Sequence, residues 1–309
     1  MKMKKTVLAL ALVFLCSLSG FCAQILNVYC TTYPVWLLTR EITRGLKDVR
    51  TDLLIPAGTG CPHDYILTPA DLRKLQRKNI IVVRNGLGLD DFVLKMLAKV
   101  NPESRIITAC TEKMAMAYSG CEKKDKEHKN CHHHHEHSHV NAHLFASPDK
   151  ALEMVSVITE GLCKADPAHS SSYTLNSRRM QQELRRLIRR MELLRNQVRG
   201  KAVVVQHDIF QYLFHFLEIR IAAEIQGEGH SPSAAEMRQL AGSIRRNKVA
   251  VIFTEPQFSS RSADLLAREC RIRVCKLDPL ANGPVNPPPG YYVRVMNENL
   301  SKIGSVLGR

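Results

Sequence analysis

The stretch SRRMQQELRRLIRRMELLRNQVR, residues 177–199, decides the fold. Leu184, Leu187, Ile188, Met191, Leu194 and Val198 recur at spacings of three and four, the period of a helix that buries one stripe. Arg178, Arg179, Arg185, Arg186, Arg189, Arg190, Arg195 and Arg199 fall on the opposite, solvated face. Extended back to Pro167, the helix is roughly 30 residues long, or about 45 Å at 1.5 Å per residue. A helix of that length, taken as residues 166–199, reads as a rigid spine between two lobes.

Working outward, both flanks alternate strand and helix. Upstream, strands are expected at 25–30, 49–55, 80–83 and 105–108, with helices at 34–45, from Thr68 onward, at 90–99 and at 148–164. Thr68 caps its helix and Pro69 suits the first turn; Ser147 and Pro148 play the same parts later. Downstream, strands at 202–206, 220–223, 249–254 and 274–277 alternate with helices at 209–216, 234–246, 259–270 and 290–307. The run 284–289, rich in proline, is a stiff connector into the last helix. Strictly alternating elements imply parallel sheets covered by helices. The expected architecture is α/β: two lobes (24–165 and 200–309), each a small parallel sheet with flanking helices, joined by the long helix. No residue-level repeat between the halves is evident.

Bulk properties agree. The 309 residues exceed what one compact domain usually needs, and 45% hydrophobic content excludes a disordered chain. Lys2, Lys4 and Lys5, the apolar run 6–15 and the small residues that follow form a secretory signal over 1–23, too short in its apolar part to span a bilayer. Export is therefore expected, to a periplasmic or other extracytoplasmic compartment. The ten cysteines show no framework spacing, although Cys270 and Cys275 are close in sequence. The net charge of +15 allows an anionic partner. Because much of the excess lies on the solvated face of one helix, no nucleic-acid partner is expected.

In open parallel sheets, the loops after the carboxyl ends of strands form the binding crevice. His63 lies in the loop after 49–55, His143 ends the loop after 105–108, and His207 directly follows 202–206. Glu255 and Asp278 end two later strands. Imidazole nitrogens with one carboxylate suit tetrahedral Zn2+, whereas Mn2+ tolerates more oxygen. A zinc hydrolase would need an open water position and a nearby base such as Glu255. The sequence carries no His-Glu-x-x-His helix, nucleophile elbow or phosphate loop, so no enzyme is expected.

Several motifs stand in register from about Ile25 to Ile303: Pro62-His63-Asp64-Tyr65 with Thr68-Pro69-Ala70-Asp71, His207-Asp208 with Tyr212, residues 227–233 (GEGHSPS), Thr254-Glu255-Pro256-Gln257-Phe258, and Leu277-Asp278-Pro279-Leu280. Together they resemble the metal-specific solute-binding proteins of ABC transporters, and the zinc-uptake type in particular. The resemblance implies metal held between two lobes and delivered to a membrane permease; a monomer is expected. It assigns the metal to His63, His143, His207 and Asp278, and His207 favours Zn2+ because manganese-type members place a carboxylate there. Two departures limit it. Asn141-Ala142-His143 stands where relatives have Asp-Pro-His, which leaves His139 as a rival to His143. Some zinc-type members complete the site with water or another acid. Glu255 matches a motif and is read as orienting a ligand.

The segment 121–141 is a low-complexity loop carrying His132, His133, His134, His135, His137 and His139. It reads as an auxiliary collector of zinc, a role the resemblance also implies. Alternatives are an Mn2+ or Fe2+ binding protein of the same family and a surface adhesin using the basic helix to hold polyanions.

Overall fold

The computed structural model describes residues 25–59, 65–115, 140–225 and 231–308. His63, the signal region and the histidine tract lie outside them. The first lobe is built on β1 (Leu26–Cys30), β2 (Val49–Leu53), β3 (Ile80–Arg84) and β4 (Arg105–Thr108), all parallel, in the order β2-β1-β3-β4. The second uses β5 (Ala202–Val205), β6 (Arg220–Glu224), β7 (Val251–Thr254) and β8 (Arg273–Lys276), also parallel, in the order β6-β5-β7-β8. The halves therefore repeat one topology without repeating residues. Packing asks only that each position be apolar and of suitable size, so the architecture can recur while identities drift.

Helices α1 (Tyr33–Ile42), α2 (Pro69–Leu75), α3 (Asp91–Val100), the single turn α4 (Glu112–Ala115) and α5 (Pro148–Ala165) belong to the first half. The spine is α6 (Ser170–Val198), 29 residues long, entered through a 3-10 turn at Pro167–His169. Helices α7 (Gln211–Phe216), α8 (Ala234–Arg246), α9 (Arg261–Cys270) and α10 (Tyr291–Leu307) follow. The α6 stripe is buried as the periodicity requires, with Met180, Leu184, Leu187, Met191, Leu194 and Val198 inside. Arg178, Arg179, Arg185, Arg186, Arg189 and Arg199 are exposed.

Alternation along each strand divides its side chains between two cores. Val28, Ile81 and Val83 of the first sheet, with Val203, Val205, Val251 and Phe253 of the second, join one continuous core with α1, α5, α6 and α10. Tyr29, Ile80 and Val82 face a smaller core under α2 and α3, while Val204 and Ile252 face one under α8 and α9. The shared core welds the inner faces of both lobes to the spine. Sliding one lobe past the other would break close-packed apolar contacts.

The expected cap at Thr68 is present and is a reciprocal box: its hydroxyl accepts from the Asp71 N–H, and the Asp71 carboxylate accepts from the Thr68 N–H. Ser233 and Glu236 make the same box on α8, the corresponding helix of the second lobe. Ser147 does not cap α5 with its side chain; its hydroxyl donates to Asp149 instead. Cys270 and Cys275 are free thiols, as are Cys30, Cys110 and Cys163. Among the described residues no helix is long and apolar enough to cross a membrane.

Candidate metal centre

Strand order reverses between β1 and β3 in the first sheet and between β5 and β7 in the second, and ligands of open parallel sheets gather outside the strand ends at such points. Gln206 and His207 leave β5, Asp208 opens a 3-10 turn (Asp208–Phe210) that feeds α7, Glu224 ends β6 and Glu255 leaves β7. From the first lobe, His143 lies just before the 3-10 turn Leu144–Ala146 that leads into α5.

The two lobes meet at these residues. The His143 and His207 rings are 5.1 Å apart between centroids and nearly perpendicular, at 79°. Asn141 holds the pair in place. Its Oδ1 accepts from the His143 backbone N–H at 2.8 Å and lies 2.9 Å from His143 Nδ1. Its Nδ2 donates to the Asp208 carbonyl and to Asp208 Oδ2, both at 3.0 Å, and to Gln211 Oε1 at 2.7 Å. An amide oxygen only accepts, so the proton of His143 belongs on Nδ1 and the lone pair on Nε2, the state a metal ligand needs. The same short segment is anchored from both sides: Asn85 of the first lobe donates to the Ala142 carbonyl at 3.0 Å, and the Tyr212 hydroxyl of the second donates to the Asn141 carbonyl at 2.7 Å.

Carboxylates crowd the second-lobe side. His207, Asp208 and Glu224 each offer one ligand atom, all within 4.8 Å of one another. Asp208 Oδ1 is 3.5 Å from His207 Nε2 and 4.0 Å from His143 Nδ1. Burial raises the Glu224 carboxyl to about 7, with the Asp208 charge adding to the rise. Glu255, only 2% exposed, is raised further, to about 8, by burial first and then by the charge of Asp208. Its Oε2 accepts from Gln257 Nε2, while its Oε1 has no hydrogen-bond partner among the described residues. Burial and mutual repulsion favour the neutral acids here, and a cation would favour their ionised forms.

Asp278 is placed differently. Its Oδ1 accepts from the Leu280 N–H at 2.8 Å, and its backbone exchanges hydrogen bonds with the Asn299 side chain of α10. It sits at the lobe junction, near enough to Tyr33 of the first lobe for its charge to act on that phenol, and outside the group gathered at His207. Burial raises its carboxyl as well.

Residues 28–306 match the profile of the family described as zinc-uptake complex component A, periplasmic, or ZnuA. The chain belongs to this family. It is 28% identical over 283 residues to the zinc-binding lipoprotein AdcA of Streptococcus pneumoniae, covering 90% of this chain and 55% of that protein. It therefore spans about half the length of that curated relative. The high-affinity zinc uptake system protein ZnuA of Bacillus subtilis is 29% identical over 285 residues, covering 90% of this chain and 86% of that one. Among solved structures, FpvC of Pseudomonas aeruginosa in complex with Mn2+ has a TM-score of 0.73 at 24% identity, covering 91% of this chain and 98% of its own. A crystal structure of ZnuA has a TM-score of 0.71 at 23% identity, covering 91% and 99%. These structures share the fold.

Within the ZnuA fold the sequence reading brought His143, His207 and Glu255 to one place, and it missed Asn141, Asp208 and Glu224. Glu224 was open to discovery by the rule that found His207, since it too ends a strand. Asn141 carried a fainter signal, as the residue standing where relatives of this family type have Asp.

Proposed function

We propose that this chain is an extracytoplasmic solute-binding protein that captures Zn2+ between its lobes and delivers it to an ABC permease. The observation that carries the reading is the His143–His207 pair, two imidazoles from opposite lobes held 5.1 Å apart. An ion joining their nitrogens bridges the lobes directly. His63 would supply a third imidazole, and Asp278, approaching from the lobe junction where its own turn and α10 hold it, the carboxylate; Glu255, once ionised by the cation, would support His207. Three nitrogens and one oxygen make a closed tetrahedral shell for Zn2+, with no position left for an activated water, so the role is binding and not catalysis. Residues 1–23 act as a cleaved signal peptide, and the His-rich segment 121–141 feeds zinc toward the cleft. The protein works as a monomer, with the metal and the permease as its partners.

Competitive metal titration of the mature protein tests this. Tight, near-stoichiometric Zn2+ binding is expected, to persist when residues 121–139 are deleted, and to be lost in His207→Ala and His63→Ala. Zn2+ binding that survives both substitutions but disappears with the loop would overturn the interlobe site.

A further inference from the structure

We propose that His207, Asp208 and Glu224 form a second cation position, carried by the C-terminal lobe alone, that takes an oxygen-preferring divalent ion such as Mn2+. The inference rests on the cleft being a metal site and adds a distinct position within it. Three ligand atoms of different chemistry converge within 4.8 Å, one nitrogen and two carboxylate oxygens. All three residues come from the β5–α7 turn and the end of β6, within one lobe, and Asn141 of the first lobe adds a hydrogen bond to Asp208.

Each carboxylate is oriented for the task. Asn141 Nδ2 engages Asp208 Oδ2, which leaves Oδ1 toward His207 Nε2 at 3.5 Å. The Asp208 backbone N–H acts on the Glu224 carboxylate. Glu255 stands beside this corner: it is 2% exposed, its Oε1 has no hydrogen-bond partner among the described residues, and the charges of Asp208 and Glu224 both act on its carboxylate. A buried carboxylate facing two others gains from a positive ion between them, and a divalent ion in this corner supplies one.

The metal preference follows from donor type and access. Hard ions favour carboxylate and water oxygens in six-coordinate shells, whereas the bridging position with its imidazoles favours Zn2+. Glu224 also lines a groove of about 450 Å³ with Ile225, Ser231, Pro232 and Glu236, which leaves room for a partly hydrated ion beside it among the described residues. The two positions share His207 and therefore exclude simultaneous full occupancy. Mn2+ held in the corner occupies a single lobe, and Zn2+ at the bridge engages both.

The test is Mn2+ binding to the full mature chain, followed by loss of the hexaquo Mn2+ electron-paramagnetic resonance signal, alongside Zn2+ titration of the same samples. Glu224→Gln is expected to weaken Mn2+ by about tenfold or more while changing Zn2+ by less than about threefold, and His143→Ala to do the reverse. Asp208→Asn serves as the second variant should Glu224→Gln fold poorly by circular dichroism. Wild-type protein that leaves the hexaquo signal intact, or Glu224→Gln that lowers both metals alike, overturns the second position. Wild-type protein that takes up Mn2+ as described but binds Zn2+ no better in its wild-type form than in His143→Ala overturns the zinc-capture reading and leaves this one standing.

Discussion

The two lobes have the same strand order and treat their switch points in opposite ways. In the first, Asp90 is fully buried and surrounded by donors: the Thr31 hydroxyl at 2.5 Å, the Asn85 N–H at 2.6 Å and the Gly86 N–H at 2.9 Å, with Arg84 at 3.6 Å. Burial raises its carboxyl, and these partners offset only part of that rise. In the second lobe, Glu255 at the end of β7 faces other acids and one of its oxygens has no hydrogen-bond partner among the described residues. One polar knot is complete in itself, and the other leaves a buried acid oxygen without a partner among the described residues. The difference is the one expected between a scaffold edge and the proposed binding edge on a shared topology.

Breaking the completed knot should have the largest effect. Asp90→Ala strips the acceptor from Thr31, Asn85, Gly86 and Arg84 at once and is expected to cost about 3 to 5 kcal/mol in urea unfolding, because buried donors and a charge lose their partner. Asn85 also holds the Ala142 carbonyl, so the variant should loosen His143 and weaken Zn2+ binding as well. Breaking the other edge should spare the fold and remove the ligand: His207→Ala is expected to lower Zn2+ affinity by about 100-fold, or about 3 kcal/mol, with little loss of melting temperature in metal-free protein. A Zn2+ titration and a thermal scan of each variant separate the two outcomes.

The acids also give the two edges different pH responses. Glu224 and Glu255 have folded-state values near 7 and 8, above their ordinary carboxylate range, so the metal-free folded state binds more protons than the unfolded chain. Their contribution is fully present below about pH 4.5 and is lost as pH rises through 7 to 8. Glu255→Gln should therefore leave metal-free stability unchanged near pH 4 and raise it by about 1 to 3 kcal/mol at pH 8, a difference that saturating Zn2+ should shrink. Equal stability of variant and wild type at pH 8 would remove the electrostatic half of the contrast.

How far the sequence foretold this arrangement depended on how local each determinant was. The α6 stripe, the strand runs and the Thr68–Asp71 box are set by residues a few positions apart, and spacing exposed them. His207 and Glu255 were found because a strand end can be read locally and the sheet does the rest. Asp208 entered only as part of the His207-Asp208 motif, and Asn141 only as a departure from Asp-Pro-His; neither was assigned a role, because what joins them is a hydrogen bond between positions 67 apart in sequence. Asp278 was assigned through resemblance, whereas its contacts here are with α10 and with its own turn. The common strand order was hidden for the converse reason: two sets of apolar residues filled equivalent places without sharing identities.

The matched capping boxes allow the finest form of the comparison. Thr68–Asp71 and Ser233–Glu236 open the helix after the second strand of each lobe, with hydroxyl-to-amide distances of 3.3 Å in both. They differ in surroundings: Asp71 is buried and also accepts from the Tyr65 and Thr68 hydroxyls, at 2.8 and 2.7 Å, while Ser233 and Glu236 are exposed. Thr68 is exposed like Ser233, but its hydroxyl also bonds the buried Asp71 carboxylate, where water has poor access, so equal cap geometry should not mean equal energy. Thr68→Ala is expected to cost about 1 to 2 kcal/mol, and Ser233→Ala about 0.5 to 1 kcal/mol, in parallel urea denaturations. Equal losses would show that the cap geometry alone sets the cost; a larger loss at Ser233 would mean that the second lobe depends on its binding edge being held in shape, since α8 lines the same groove as Glu224.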